Sequence, residues 1–311
     1  MGEPNIMSVP FQLRANDVQR HIINIDTRFR DSADMSTSSN FYYTLASPIK
    51  NILRVRITSV EFPNNYYQFT RKRKNVTFRV IYQGPSGPMG QPIEIEEGTY
   101  NAFELQDALN DIFQEPGGLN WLSVAFVATT GHFIFTGTQN FAIDTSYETY
   151  DRPFDYGLTY YMGFSRKLHK ATSPSAGKFI VESDGLSNFA GDSYMLLRLN
   201  DFQCVKHRTD ETYLEAFAKI VFRDSKNNVN FDDYASQHIK EVVFTAPQDL
   251  SRLKVQMLDA YGELADLTSI NYSFSIEVTE IKNLSLYNTI RDSLALRYTV
   301  GGGSRGGQLD L

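Results

Sequence analysis

Five histidines, one cysteine and scattered carboxylates are the groups in this chain whose types could do chemistry, and spacing decides what they could do. His21, His132, His169, His207 and His238 lie far apart, and no two stand at the i,i+4 spacing that puts two metal ligands on one helix face. Cys204 precedes His207 by three residues, but a structural zinc normally takes four ligands and a lone pair is not a site. Asp232-Asp233 and Glu96-Glu97 are adjacent carboxylates. Neighbouring strand or loop residues point in different directions, so solvation is their expected role and not paired acid–base work on a glycoside. A sandwich-fold hydrolase would need carboxylates converging across strands. The sequence has no Gly-x-Ser-x-Gly elbow, and its glycine-rich stretches at 84–90 and 301–307 lack the strand-loop-helix context and Lys-Ser/Thr ending of a phosphate loop. The expectation is a non-enzyme with no catalytic, cofactor-binding or metal-ligating residues.

Two features point to binding. Arg71, Lys72, Arg73 and Lys74 form a compact cationic loop that could meet nucleic acid, a lipid headgroup surface or an acidic patch on a partner. The plainer reading is a solvated hairpin tip that blunts edge-to-edge strand pairing. Tyr66, Tyr67 and Phe69 beside it could stack on bases, and read equally well as strand-end core. Tyr156, Tyr160 and Tyr161, with Phe164, lie in a tyrosine-rich region spanning 147–188 with few strand signals, a length typical of functional or interface-forming loops. Gathered on one concave face, they would suit a carbohydrate- or receptor-binding sandwich.

The chain has 311 residues, enough for one large or two small cores, with 22 Phe, 18 Tyr and a single Trp121. A net charge of −6 argues against a global nucleic-acid binder. One cysteine forbids an intramolecular disulfide and suits a protein assembled in cytoplasm. The first residues are too polar for a signal peptide, and no apolar run is long enough to span a bilayer.

The elements that must position these residues are mostly strands. Leu53, Val55 and Ile57 alternate with Arg54, Arg56 and Thr58, after which Val60 and Phe62 fall in the opposite phase. One extra residue near Thr58-Ser59 explains the slip, either as a β-bulge or as a strand changing sheet. Pro48 is expected to stop an earlier strand over 41–45, and Pro63 to end the long one. Asn101, with Glu104 three residues on, caps one amphipathic helix carrying Leu105, Leu109 and Phe113. Strands over 122–128 and 132–136 flank a Thr129-Thr130-Gly131 turn. The cleanest strand places Tyr272, Phe274, Ile276 and Val278 on one face. About eight to ten strands, antiparallel in character and interrupted by one helix, describe an all-β, antiparallel β-sandwich. Periodicity alone does not separate a jelly roll from an immunoglobulin-like or other Greek-key sandwich.

The run Ile25-Asp26-Thr27-Arg28-Phe29-Arg30-Asp31, the Ser38-Ser39-Asn40-Phe41 strand start, the Pro48-Ile49-Lys50-Asn51 strand entry and Ser59-Val60-Glu61-Phe62-Pro63-Asn64-Asn65-Tyr66 together resemble the N-terminal signature of virion proteins of the nucleocytoplasmic large DNA viruses. Glu97-Gly98-Thr99-Tyr100, leading into the helix with Glu104-Leu105 and Ala108-Leu109, is similar to the next block. The likeness covers about the first 115 residues; beyond them it is one of strand order and composition. It implies a single jelly roll with a small helix-plus-hairpin (α+β) insertion, in a capsid role without catalysis or cofactor. That role is either a penton at the fivefold vertices or a minor capsid protein contacting the major capsid protein, other minor capsid proteins or the inner membrane. A penton would be a homopentamer, and either would reside in the virion after assembly in host cytoplasm. The expected organisation is an N-terminal arm over 1–20, a jelly-roll domain over 21–298 with its insertion at about 84–190, and a flexible glycine-rich tail over 299–311.

Overall fold

Two strands much longer than the usual five to six residues decide the architecture. The computed structural model describes residues 15–301 except 153, 176, 210–211, 223–228, 233–239 and 268–269. A three-residue 3-10 turn, Ala15–Asp17, leads into β1 (Val18–Asp26), and a second turn, Thr27–Phe29, leads towards β2 (Asn40–Pro63), the first of the long strands. There follow β3 (Thr77–Gly84), β4 (Gly87–Glu94), α1 (Ala102–Gln114), β5 (Leu122–Val127), β6 (His132–Gly137), β7 (Phe141–Asp144), α2 (Leu158–Tyr161), β8 (Leu168–Lys170), β9 (Thr172–Ser175) and β10 (Lys178–Glu182). The chain continues through β11 (Tyr194–Leu199), β12 (Val205–Thr209), β13 (Thr212–Ala216), β14 (Ala218–Val221), β15 (Val229–Asp232), the second long strand β16 (Glu241–Leu258), β17 (Ser273–Ile281) and α3 (Leu284–Gly301).

β2 takes different partners along its length. Its first residues, Asn40 to Thr44, pair with Gln256 to Arg252 at the far end of β16. Its last, from Ile52 to Glu61, pair with β17, and residues 60–63 also pair with β15. One layer therefore runs β1-β17-β2-β15 and the other β2-β16-β11-β14, with every pairing antiparallel. Taking the two halves of β2 as separate strands, this is the order of a jelly roll, two Greek keys closed face to face. The inner faces meet in one core: Ile25, Val55, Ile57, Phe62, Phe274, Ile276 and Val278 from one layer, Phe41, Leu197, Leu253, Val255 and Met257 from the other.

The phase slip is where the alternation placed it. Ser275 pairs with Ser59 but Ile276 with Ile57, so Thr58 is the extra residue, its hydroxyl donating to the Ser275 carbonyl at 3.1 Å. That bulge lets Val55 and Ile57, then Val60 and Phe62, all point inward. A second shift between Thr279 and Glu280 turns Ile52 inward and leaves Leu53, expected on the core face, half-buried.

Three expectations need correction. Pro48 does not stop a strand: it lies inside β2, where the register against β16 shifts repeatedly and the other side of the strand is unpaired, so no ladder bond is asked of it. The excursion from the sandwich begins after Pro63 and returns at Tyr194, earlier than 84, because β3 pairs with β4 and β7 and buries Val76, Phe78 and Val80 in a second core. The C-terminal region carries α3 up to Gly301, unanticipated although Tyr287, Ile290, Leu294 and Tyr298 stand at helical spacing. β1 begins at Val18, inside the stretch read as an arm; residues 1–14 and 302–311 lie outside the described residues.

The second core is built as the sequence suggests. Asn101 and Glu104 form a reciprocal capping box, and Leu105, Leu109 and Phe113 are fully buried. They pack against the β5–β6 hairpin, whose inward Phe133 and Phe135 are likewise fully buried. Gln106 and Asn110 add side-chain bonds to the edge of β5: Gln106 accepts from the Phe126 amide at 2.8 Å, and Asn110 both accepts from and donates to Val124.

Candidate functional site

The residues carrying the N-terminal signature are used to fix one loop. Asp26 caps the Thr27–Phe29 turn through the Arg28 amide at 2.9 Å and grips the Arg28 guanidinium, whose bonds hold the carboxyl below its usual range. Thr27, fully buried, exchanges bonds with Tyr272 and donates to Asn271 at 3.0 Å. Arg30 donates to the carbonyls of Thr27, Ala33 and Ser36, closing the loop on itself. Asp31 accepts from the Thr44 hydroxyl at 2.6 Å and its amide, with Arg252 at 3.4 Å; the Thr44 bond lowers its pKa. These bonds leave Phe29 73% and Met35 93% exposed on a loop that cannot easily retract them. Nothing in the hydrophobic pattern marked these two side chains as the outward ones, since both could have been core.

The basic loop meets this loop across a cleft of about 480 Å³ lined by Arg30, Ser36, Ser39, Lys72, Asp266 and Asn271, among others. Its four cations do not form one patch. Arg71 pairs with Glu94 at 2.5 Å and Lys74 with Asp151 at 3.3 Å. Arg73 is only 5% exposed, with Asp192 at 3.8 Å and the Tyr66 ring 5.6 Å below its guanidinium. Lys72 alone is directed at the cleft without an ion pair described for it. The tight turn that causes this runs from Thr70 to Lys74, is pinned by Asn75 accepting from the Thr70 amide at 2.8 Å, and forces Arg73 inward where its neighbours point outward.

The tyrosine cluster is also corrected. Tyr156, Tyr161 and Phe164 are buried at 2–4% exposure, and only Tyr160 reaches solvent, so they offer no concave aromatic face to a sugar. They pack in the boundary between the two cores. Arg152 lies 4.1 Å over Tyr156 and 5.4 Å from the Tyr261 ring, and pairs with Glu263 at 3.0 Å. Burial raises the phenols of Tyr66, to about 12, and of Tyr156, Tyr161 and Tyr261 further, so all stay neutral. Burial likewise raises Asp259, opposed by Arg73 and by the amides of Tyr261 and Glu263.

Of the groups first searched for chemistry, Cys204 donates to the Glu241 carbonyl and His207 contacts that of Ala260, so the pair does not converge. Glu97 accepts from the Arg71 amide at 2.7 Å; Asp233 lies outside the described residues. Ser165, His169 and Asp184 do come together. The Ser165 hydroxyl donates to Asp184, however, while His169 Nε2 contacts the Ser165 carbonyl at 2.9 Å and lies 3.6 Å from the carboxylate, so no base faces the hydroxyl. Among the described residues, no group of three or more His, Cys, Asp or Glu could hold a metal ion. No described helix is long and apolar enough to cross a membrane.

Burial alone would raise the Asp184 carboxyl, but bonds from Ser165 and Lys167, with the charge of His169, hold it well below its ordinary value. A depressed folded pKa gives stability that is present above the unfolded pKa, near 3.9, and is lost as pH falls below it. Urea midpoints are expected to fall from pH 5 to pH 3 in the parent and less steeply in Asp184→Asn; identical slopes would remove Asp184 from the acid response.

No family model matches the chain, and no curated protein matches it. Among solved structures, the crystal structure of the mavirus penton protein is similar at a TM-score of 0.38 and 10% identity, over 84% of this chain and 98% of that one.

Proposed function

We propose that this chain is a structural protein of a large icosahedral DNA virus: a jelly-roll capsid component that assembles with other capsid proteins, at the vertex as a penton. A minor capsid role against the major capsid protein is the neighbouring alternative. The observation that carries the reading is the signature loop. The residues that bear the family resemblance bond to one another and to the sandwich, and the loop they fix holds Phe29 and Met35 in solvent. A rigid apolar tip on a rigid body suits docking to a neighbouring subunit, because little freedom remains to be lost on contact. The vertex is preferred because one sandwich with one inserted unit fits a small closed ring. Assembly would take place in host cytoplasm and end in the virion.

The test is light scattering across a concentration series, followed by assembly with the major capsid protein of the same virus. A pentamer is expected, and incorporation at the vertices. Phe29→Ser with Met35→Ser should abolish both while changing stability by only about 0.5 kcal/mol, as is usual for exposed side chains. A chain that stays monomeric and enters no shell would sink the proposal.

A further inference from the structure

On one side of the sandwich both layers end in an unpaired strand. β1 is the last strand of its layer, and the first half of β2 is bonded only to β16. Between these edges lies a groove of about 590 Å³, lined by His21, Ile23, Tyr43, Leu45, Ile49 and Glu280, among others. Ile23, Tyr43, Leu45 and Ile49 are half-buried and continue the sandwich core outward, and Ile22 beside them is 72% exposed. A strand of nine residues with an apolar, unpaired edge is a template for another strand.

The chain carries a segment with the matching pattern. Met7, Val9, Phe11 and Leu13 alternate with Ser8, Pro10 and Gln12, as in a strand with one apolar face. They stand just before the three-residue turn Ala15–Asp17 that leads into β1. A reversal over those three residues closes Arg14 against Val18 and sets Leu13, Phe11, Val9 and Met7 opposite Gln19, His21, Ile23 and Ile25. Directly opposed residues of an antiparallel pair point to the same side, and His21, Ile23 and Ile25 are on the inward side of β1. A reversal one residue longer or shorter would turn Ser8, Pro10 and Gln12 inward instead. Pro10, opposite Ile22, is admissible because an outermost strand has one side that bonds to nothing.

We infer that residues 7–13 fold back on the same chain as an additional antiparallel strand along β1, covering the groove with Val9 and Phe11 against its apolar floor. The occupant is the chain's own segment because the turn length delivers the one register in which both apolar faces coincide.

The experiment is hydrogen exchange read by mass spectrometry on the full chain and on a full-length Val9→Asp/Phe11→Asp variant with matching circular dichroism. Amides of residues 22–24 are expected to exchange about tenfold more slowly in the parent, equally at high and low protein concentration. Equal exchange in the two proteins overturns the inference, and so does protection that vanishes on dilution, which would assign the groove to a second copy. A separate readout uses a Cys204→Ser background. Val9→Cys with Ile23→Cys is expected to form an intramolecular disulfide under mild oxidation, and Pro10→Cys with Ile23→Cys is not. Equal yields from the two pairs overturn the register.

Discussion

Arg73→Met is expected to destabilise the protein by about 3 kcal/mol or more, because removing one partner of a buried ion pair leaves the other charged and unmatched. The partner is Asp192, 3.8 Å away, with Asp259 close enough for the guanidinium to oppose the effect of its burial. Loss of Arg73 leaves both carboxylates facing the rings of Tyr66, Tyr156 and Tyr161, which offer no countercharge. The deficit should therefore shrink at low pH, where Asp259, already raised by burial, takes up a proton more readily. Urea unfolding at pH 7 and pH 5 measures both effects. Adding Asp192→Asn to Arg73→Met should restore part of the loss, as a coupled pair does in a double-mutant cycle. A loss below about 1 kcal/mol would mean that water already solvates the guanidinium and that the boundary between the two cores is wet.

Phe274→Asp is expected to leave the chain unfolded at room temperature. Phe274 is fully buried on β17, stacked with Tyr272 at 6.3 Å and facing the opposite layer. Truncating such a ring costs about 3–5 kcal/mol, and an unpaired carboxylate in its place adds several more. The sum is comparable to the whole stability of an ordinary domain. Ser275→Asp, one residue along and on the outward face, should fold. Circular dichroism and the dispersion of amide resonances distinguish the two. A native-like Phe274→Asp would mean that the inward face of β17 has been misassigned.

The contrast between those two positions shows what a reader of the sequence could and could not obtain. Period-two patterning located the inward faces of β2 and β17, and the slip at Thr58 identified the bulge, because one face of each strand is buried and a wrong register would bury charge. The capping box at Asn101 was equally plain, being a purely local motif. Pro48 misled because proline forbids only a donated bond, and whether a bond is required depends on which side of the strand is paired. Arg73 and Tyr156 misled in the opposite direction. A cation among cations reads as solvated and a tyrosine in a sparse region reads as a contact residue, yet both side chains are buried where the inserted unit meets the sandwich. Their partners, Asp192 and Tyr261, are distant in sequence and sit in segments with no periodic signal. The exposure of Phe29 and Met35 was hidden for the same reason: it follows from the bonds of Arg30 and Asp31, not from any property of the apolar residues themselves.

The sharing of β2 and β16 between the layers has a mechanical consequence. In a sandwich of two separate sheets, lateral force can slide one sheet over the other, with only side-chain packing resisting. Here the layers are joined by continuous covalent chain at the bends of both long strands, so sliding would have to straighten β2 near residues 44–52 and β16 near residues 243–252, where the register already shifts. Tension applied at one end of the molecule is carried along backbone to the other. The parts free to yield under load are then the loops at the ends and the inserted unit, while the body between them behaves as a single strut.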